Sequence, residues 1–313
     1  MKGRLALGAY VLIKGCDPSL LKWLQERGQL SMVRFGMAVD PISFCNVFFF
    51  ASLASGLVLL LMDLPSVRRQ LPALTGADRW LLASRAALGF CIGPLAYFLA
   101  LRQLPVVSLT LLLTLILPVT ALLARSLLGE PLPRRFGLTL VLLPAGLWLS
   151  SAMAGSMGST AGGGPNLPGV GWALVSVVAF AGAGILNRLS ATRGWGTGLS
   201  LGLTSLGAAV VFGLIALLMY GPDHFFFPRL WWVVGVLLGY AGVIRVGSEL
   251  CLLTSYRQLG ALDVALWGNA VVVVAILSAH LLLGEPVGPR TVAGAGLILA
   301  ALAVGVERTN RER

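Results

Sequence analysis

From residue 41 to residue 306 the chain alternates between long apolar runs and short breaks rich in proline, glycine and arginine. A hydrocarbon core of ~30 Å takes about 20 residues of helix at 1.5 Å each. The runs therefore predict membrane-crossing helices over 42–62, 80–101, 105–128, 135–153, 169–189, 198–220, 231–256, 261–283 and 291–306. The breaks between them are explicit: PSVRRQLPALTGADR, RQLP, GEPLPRR, GSMGSTAGGGPNLPG, RGWGTG, GPDHFFFP, RQLG and GEPVGPR. Backbone outside a helix finds no hydrogen-bond partner in lipid, so these segments belong at the interfaces.

The pattern repeats. The pentad LLGEP occurs as Leu127–Pro131 and again as Leu282–Pro286, and Arg102-Gln103-Leu104 recurs in the same register as Arg257-Gln258-Leu259. Without a gap, 12 of the 30 positions from Arg102 to Pro131 are identical to those 155 residues later. This is internal duplication. It places the helix at 169–189 opposite residues 14–34, so each half is expected to hold five helices. The first is degenerate, because that window carries Lys14, Asp17, Lys22, Glu26, Arg27 and Arg34. Each Arg, Lys or Asp at a span's centre costs roughly 2.5–3.5 kcal/mol on translocon scales, so this segment needs neighbours to shield it or an interfacial position.

Five helices is an odd number, so the second half enters the membrane upside down relative to the first. With the C-terminus inside, eleven arginines between Arg68 and Arg313 fall on the cytoplasmic side, against Arg102, Arg229 and Arg290 outside. The expected architecture is an all-α polytopic membrane protein of ten transmembrane helices in two inverted five-helix repeats. The segments are a charged N-terminal stretch 1–40, the rest of the first repeat 41–153, a glycine-rich linker 154–167, the second repeat 168–306 and a basic cytoplasmic tail 307–313.

Composition agrees and closes other routes. The 313 residues are 57% hydrophobic and 11% charged, where a soluble domain has about 25% charged residues. The net charge of +11 raises nucleic-acid binding, but the basic residues sit singly or in pairs at the ends of apolar runs. Cys16, Cys45, Cys91 and Cys251 have no CxxC spacing, and His224 and His280 lack ligand-spaced partners, so no metal is expected. No GxxxxGK[ST] is present to bind a nucleotide. Neither a cofactor nor direct ATP coupling is expected.

The stretch LAYFLALRQLPVVSLTLLLTLILPVTALLARSLLGEPLPRRFGLTLVLLPAGLWL resembles the drug/metabolite transporter superfamily, specifically EamA-type carriers. The resemblance runs over about residues 41–306. It is carried by Tyr97, Ala100 and Leu101 at the end of the third helix, by Pro118-Val119, and by the Gly-Glu of the following loop. The second half matches through SYRQLGALDVALWGNAVVVVAILSAHLLLGEP, with Val273 in place of the proline. The resemblance implies tandem five-helix repeats around a substrate cavity bordered by the ninth helix, which holds Trp267 and Asn269. The first helix departs from the family's usual apolar span.

Glu130 and Glu285 each follow a glycine that can end a helix and precede a proline, Pro131 or Pro286, that cannot continue one. A structural role, complementing the dipole of the next helix, is the first reading of both; gating is the other. Arg245 and Glu249 share a helical face deep in one span, either as a mutual ion pair or as an anion-binding arginine with a proton-carrying partner. Arg85 either snorkels to the cytoplasmic headgroups or faces the cavity. Together with Trp267, Asn269 and Tyr97, these are the candidate substrate residues. The expected function is a secondary carrier that exports a small metabolite or drug across a bacterial inner membrane, coupled to a proton or another ion. It would act as a monomer, or as a homodimer through a GxxxG face such as Gly198/Gly202. A channel would want a ring of like charge, and a membrane-embedded enzyme would have only Asp223 with His224.

Overall fold

The computed structural model describes residues 2–36, 40–129, 132, 136–150, 166–225, 231–259, 264 and 267–309. Ten long helices run through them. They are α1 Lys2–Phe35, α2 Phe44–Met62, α3 Gly76–Gln103, α4 Val106–Leu128 and α5 Phe136–Leu149 in the first half. In the second half they are α6 Leu167–Thr192, α7 Gly198–Tyr220, α8, α9 Ala270–Leu283 and α10 Pro289–Thr309. α8 opens as Trp231–Tyr240, widens through the π-helical stretch Ala241–Gly247 and closes as Ser248–Gln258. Six of these (α2, α3, α4, α6, α7 and α8) are long and apolar enough to cross a membrane. The chain is all-helical over the described residues.

Helix ends follow local chemistry that an apolar count overlooks. α3 starts at Gly76, ahead of its apolar run, because Thr75 and Asp78 cap it reciprocally: the Thr75 hydroxyl accepts from Asp78 N, and Thr75 N donates to the Asp78 carboxylate at 2.9 Å. α4 breaks at Thr114–Leu115, where Pro118 has no N–H to offer the Thr114 carbonyl and its ring crowds that oxygen. The same break recurs at Asn269, 155 residues on, although Val273 stands in the proline's place. Two further features recur at that spacing. A π-helical stretch covers Ala86–Ile92 and Ala241–Gly247, and Gly129 and Gly284 close α4 and α9 in the left-handed conformation at φ 67° and 66°.

The chain forms two compact units, and neither is a sequence half. One takes residues 1–23, 96–181 and 248–313; the other takes 24–95 and 182–247. Each therefore draws matching stretches from both halves. In the second unit α2 packs on its counterpart α7: Phe49 meets Gly213, Gly56 meets Leu206 and the Leu60 backbone meets Gly202. Each step up α2 is matched by a step down α7, so the helices run antiparallel. Ser205 donates to the Ser52 carbonyl at 2.9 Å, and Phe48 lies against Phe212 with ring centroids 5.4 Å apart. A second tie in this unit is Asp63, which accepts from Gly198 N at the start of α7 at 2.9 Å. Arg193 is ion-paired with Asp78 there as well.

In the first unit α5 packs on its counterpart α10 in the same antiparallel sense, with Thr139 against Ala301 and Gly146 against Gly294. α4 and α9 pair likewise, since the start of α4 lies beside the end of α9. α1 runs parallel to α9 instead: Gly15 meets Val274, Ser19 meets Ser278, and Lys22 meets Glu285. The charged segment is thus one continuous helix, and two of its lysines are answered nearby. Lys14 pairs with Asp17 at 2.7 Å, and Lys22 reaches the Leu104 carbonyl at 2.8 Å and Glu285 at 3.3 Å.

The α5–α10 contact yields a test. A Cβ on Gly294 would lie 2.5 Å from the Gly146 carbonyl oxygen and 2.6 Å from Ser150 N, both backbone atoms that cannot step aside. Gly294→Val should destabilise the protein by about 1–3 kcal/mol. Gly207→Ala, where nothing lies within 4 Å of the added carbon, should stabilise it by up to about 1 kcal/mol. Thermal unfolding in detergent distinguishes them, and equal midpoints would contradict the close contact.

Candidate functional site

The first unit contains a cavity of about 620 Å³, lined by Arg4, Leu7, Gly8, Val11 and Leu12 of α1, Leu259 just past α8, and Trp267 and Ala270 at the start of α9. The α1 residues recur at three- and four-residue spacing, so they form one face of the helix. Glycines set the limits of the space. A Cβ on Gly3 would lie 2.8 Å from Gln258 Cβ, so the helix sits hard against the end of α8 there. Gly15 fits against Val274 and the Val271 carbonyl. Between them, Gly8 has nothing within 4 Å of its missing Cβ and faces open volume. The described wall is apolar apart from the Arg4 guanidinium and the indole N–H of Trp267, and it includes no acidic side chain. Such a space suits an apolar body carrying few polar groups.

Farther along α1, 18 residues or about 27 Å of helix from Arg4, lies a polar junction built around Glu285. The first amides of a helix have no partner within it, and Pro105 at the N-cap of α4 offers no capping side chain. The Glu285 carboxylate fills that gap, accepting from Val106 N at 2.7 Å and Val107 N at 3.1 Å. Lys22 adds its ammonium to the same carboxylate. This corrects one expectation. Glu285 serves the amides of α4, in the other half of the chain, rather than the dipole of the helix that follows it. The Gly284 turn swings the carboxylate back beside α4, while His280 Nδ1 lies 2.9 Å from the Glu285 carbonyl.

The remaining candidates are dispersed. Trp267, 65% exposed, lines the cavity, and Asn269 sits two residues on, half-buried, with no capping bond from its side chain. Tyr97 is half-buried in the first unit, and Glu249 belongs to that unit too, in the first turn after the π stretch. Arg245, within that stretch, belongs to the second unit, as does the buried Arg85 immediately before the other π stretch. Pro118 is buried at the α4 break and Pro286 is exposed. Glu130 and Pro131 lie outside the described residues. Sequence reasoning missed Arg4, Gly8 and Lys22. The four-residue spacing of Arg4, Gly8 and Leu12 was the available signal, obscured by the overall polarity of the segment.

In the second unit a buried polar cluster closes the loop after α7. Ser43, the N-cap of α2, lies 2.7 Å from His224 Nε2, and Tyr220 stacks on the imidazole at 4.4 Å. Burial pushes the His224 pKa down to about 4, so the ring is neutral at pH 7.

Against known proteins, residues 167–306 match the EamA-like transporter family. The chain is also 29% identical over 275 residues to the uncharacterized transporter sll1164 of Synechocystis sp., an alignment covering 84% of this chain and 76% of that one. A solved crystal structure shares its fold with a TM-score of 0.56 at 20% identity, over 98% of this chain and 99% of its own. The chain is thus similar to EamA-like transporters over residues 167–306 and shares its fold with a solved structure.

Two measurements test this geometry. Glu285→Ala strands two amides and the Lys22 ammonium and should cost about 2–4 kcal/mol, whereas Glu285→Gln keeps an acceptor and should cost less than half of that. Wild-type thermal midpoints for both variants would contradict the capping role. For His224, a folded pKa below the unfolded value means that the unfolded chain binds the extra proton first. Stability is then insensitive to this group above pH 6.5 and falls as pH drops towards 4, by no more than about 3 kcal/mol. His224→Gln should flatten that slope in unfolding measured across the same range.

Proposed function

We propose that the chain is a secondary active transporter that exports a small amphipathic metabolite or drug, and that its two halves are inverted five-helix repeats working by alternating access. The observation that carries this reading is the cavity, walled by α1 from the first half and by the α8–α9 region from the second. The antiparallel packing of α2 on α7 and of α5 on α10 supports the inverted relation, because helices related by such a repeat must point opposite ways. Local features that recur 155 residues apart support the duplication. The arginine asymmetry supports a cytoplasmic C-terminus in a bacterial inner membrane.

In this reading Trp267 offers a flat apolar wall to the substrate, and Asn269 an amide near the entrance of α9. Arg245 and Glu249 are the candidates for coupling to a proton or ion. Arg85 and Tyr97 are the remaining polar candidates.

Flux in proteoliposomes tests it, across a panel of amphipathic solutes and with or without a pH gradient. The expected result is saturable uptake whose half-saturation rises about tenfold in Trp267→Ala, the loss of roughly 1.4 kcal/mol of aromatic contact. Flux that rises linearly with concentration and ignores Trp267→Ala would indicate a channel instead.

A further inference from the structure

We infer that the cavity between α1 and the start of α9 selects organic anions: amphipathic molecules with a flat apolar body and one carboxylate or sulfonate, whose charge is met by Arg4. The inference rests on the transport reading above and adds the sign of the substrate's charge and the residue that sets it.

The arrangement of the wall carries the argument. Arg4 lies on the first turn of α1, and Leu7, Val11 and Leu12 line the same face over the next two turns. The distance from Arg4 to Leu12 is eight residues, about 12 Å of helix. The face thus runs from cation to hydrocarbon in one direction, the complement of a molecule with an anionic head and an apolar tail. Trp267 stands across from it, with its ring largely uncovered by protein. A volume of about 620 Å³ lies within the usual range of small-molecule pockets, roughly 300–1,000 Å³.

Charge decides between substrate classes. Among the described residues Arg4 makes no ion pair, and no described lining residue is acidic. An amphipathic cation would place its charge against a guanidinium with no carboxylate among the described lining residues to offset it, in surroundings less screening than water. A neutral amphiphile would fill the apolar part and leave Arg4 unused. An anion satisfies both ends, and a guanidinium grips a carboxylate or sulfonate through two parallel N–H bonds. Two of the other cations of α1 in this unit are differently engaged: Lys14 holds Asp17, and Lys22 holds Glu285.

Gly8 makes the inference testable without disturbing the fold. It is helical, it faces the cavity, and an added side chain there meets open space. The full chain in zwitterionic nanodiscs is titrated with an anilinonaphthalene sulfonate and with a quaternary-ammonium naphthalene of matched size. Flux of the same probes is followed in proteoliposomes. The expected result is that wild type binds and moves the sulfonate and not the ammonium. Gly8→Phe, or the smaller Gly8→Leu if the first is not monodisperse, abolishes sulfonate binding. Arg4→Gln weakens it about tenfold, and Arg4→Lys restores most of the loss.

The failures differ. If Gly8→Phe blocks binding and flux but Arg4→Gln behaves as wild type, the cavity is the substrate site and the anion assignment is overturned. Should the filled variants bind and transport normally, the cavity is not the site, and the transport reading of it falls too. If a modest fraction of anionic phospholipid in the nanodisc displaces the sulfonate completely, the cavity belongs to lipid and the inference is overturned.

Discussion

Where Gly294 meets Gly146, backbone lies against backbone, and the first unit depends on that approach. Within a bilayer the hydrophobic effect does not press helices together, because lipid tails are as apolar as leucine. Association then relies on close packing and on hydrogen bonds, and small residues permit both. Gly146 and Gly294 bring α5 and α10 together, and Gly56 and Gly202 do the same for α2 and α7. In each pair the two helices occupy corresponding places in the two halves and run antiparallel. Pairing of this kind ties first half to second half, and it explains why neither compact unit is a continuous half of the chain.

The same economy governs charge. An isolated ammonium or carboxylate in hydrocarbon is expensive, and α1 carries several. Three of its ionic groups offset that penalty by short-range pairing: Lys14 with Asp17 one turn away, and Lys22 with the Glu285 carboxylate and the Leu104 carbonyl. Glu285 in turn meets three donors, two of them amides that α4 cannot satisfy itself. Removing any member leaves the others underbonded in a poorly solvating environment, so the junction is held as a set.

Much of the architecture was legible because lipid imposes a coarse requirement, and 20-residue apolar runs meet it visibly. The ends of α2, α4 and α7 fall within two residues of those read from the runs. Misplaced ends have a local cause, as at Thr75 and Asp78, where the capping residues are polar and an apolar count passes over them. The π stretches at Ala86–Ile92 and Ala241–Gly247 left no trace, because a widened turn changes hydrogen bonding without changing hydropathy. Of the site, Trp267 was legible through resemblance to a family. Arg4 and Gly8 were not, because their significance lies in what stands opposite them, and opposition across a cavity has no one-dimensional signature. Lys22 looked like a liability for the same reason: its partner is 263 residues away.

Duplication copied a motif but not its surroundings. The residue 155 positions beyond Lys22 is Val177, buried in α6 with 1% of its surface exposed. Whatever meets Glu130, no lysine stands at the corresponding place to share it. The second LLGEP pentad is thus reinforced by a cation from a helix too polar to resemble its own counterpart. Four of the charges on α1 are thereby given a place. Lys22 belongs to a junction, Arg4 to a cavity, and Lys14 with Asp17 to each other. An apolar first helix, of the kind α6 retains, would insert more readily but would leave Glu285 with amides alone and the cavity without its cation.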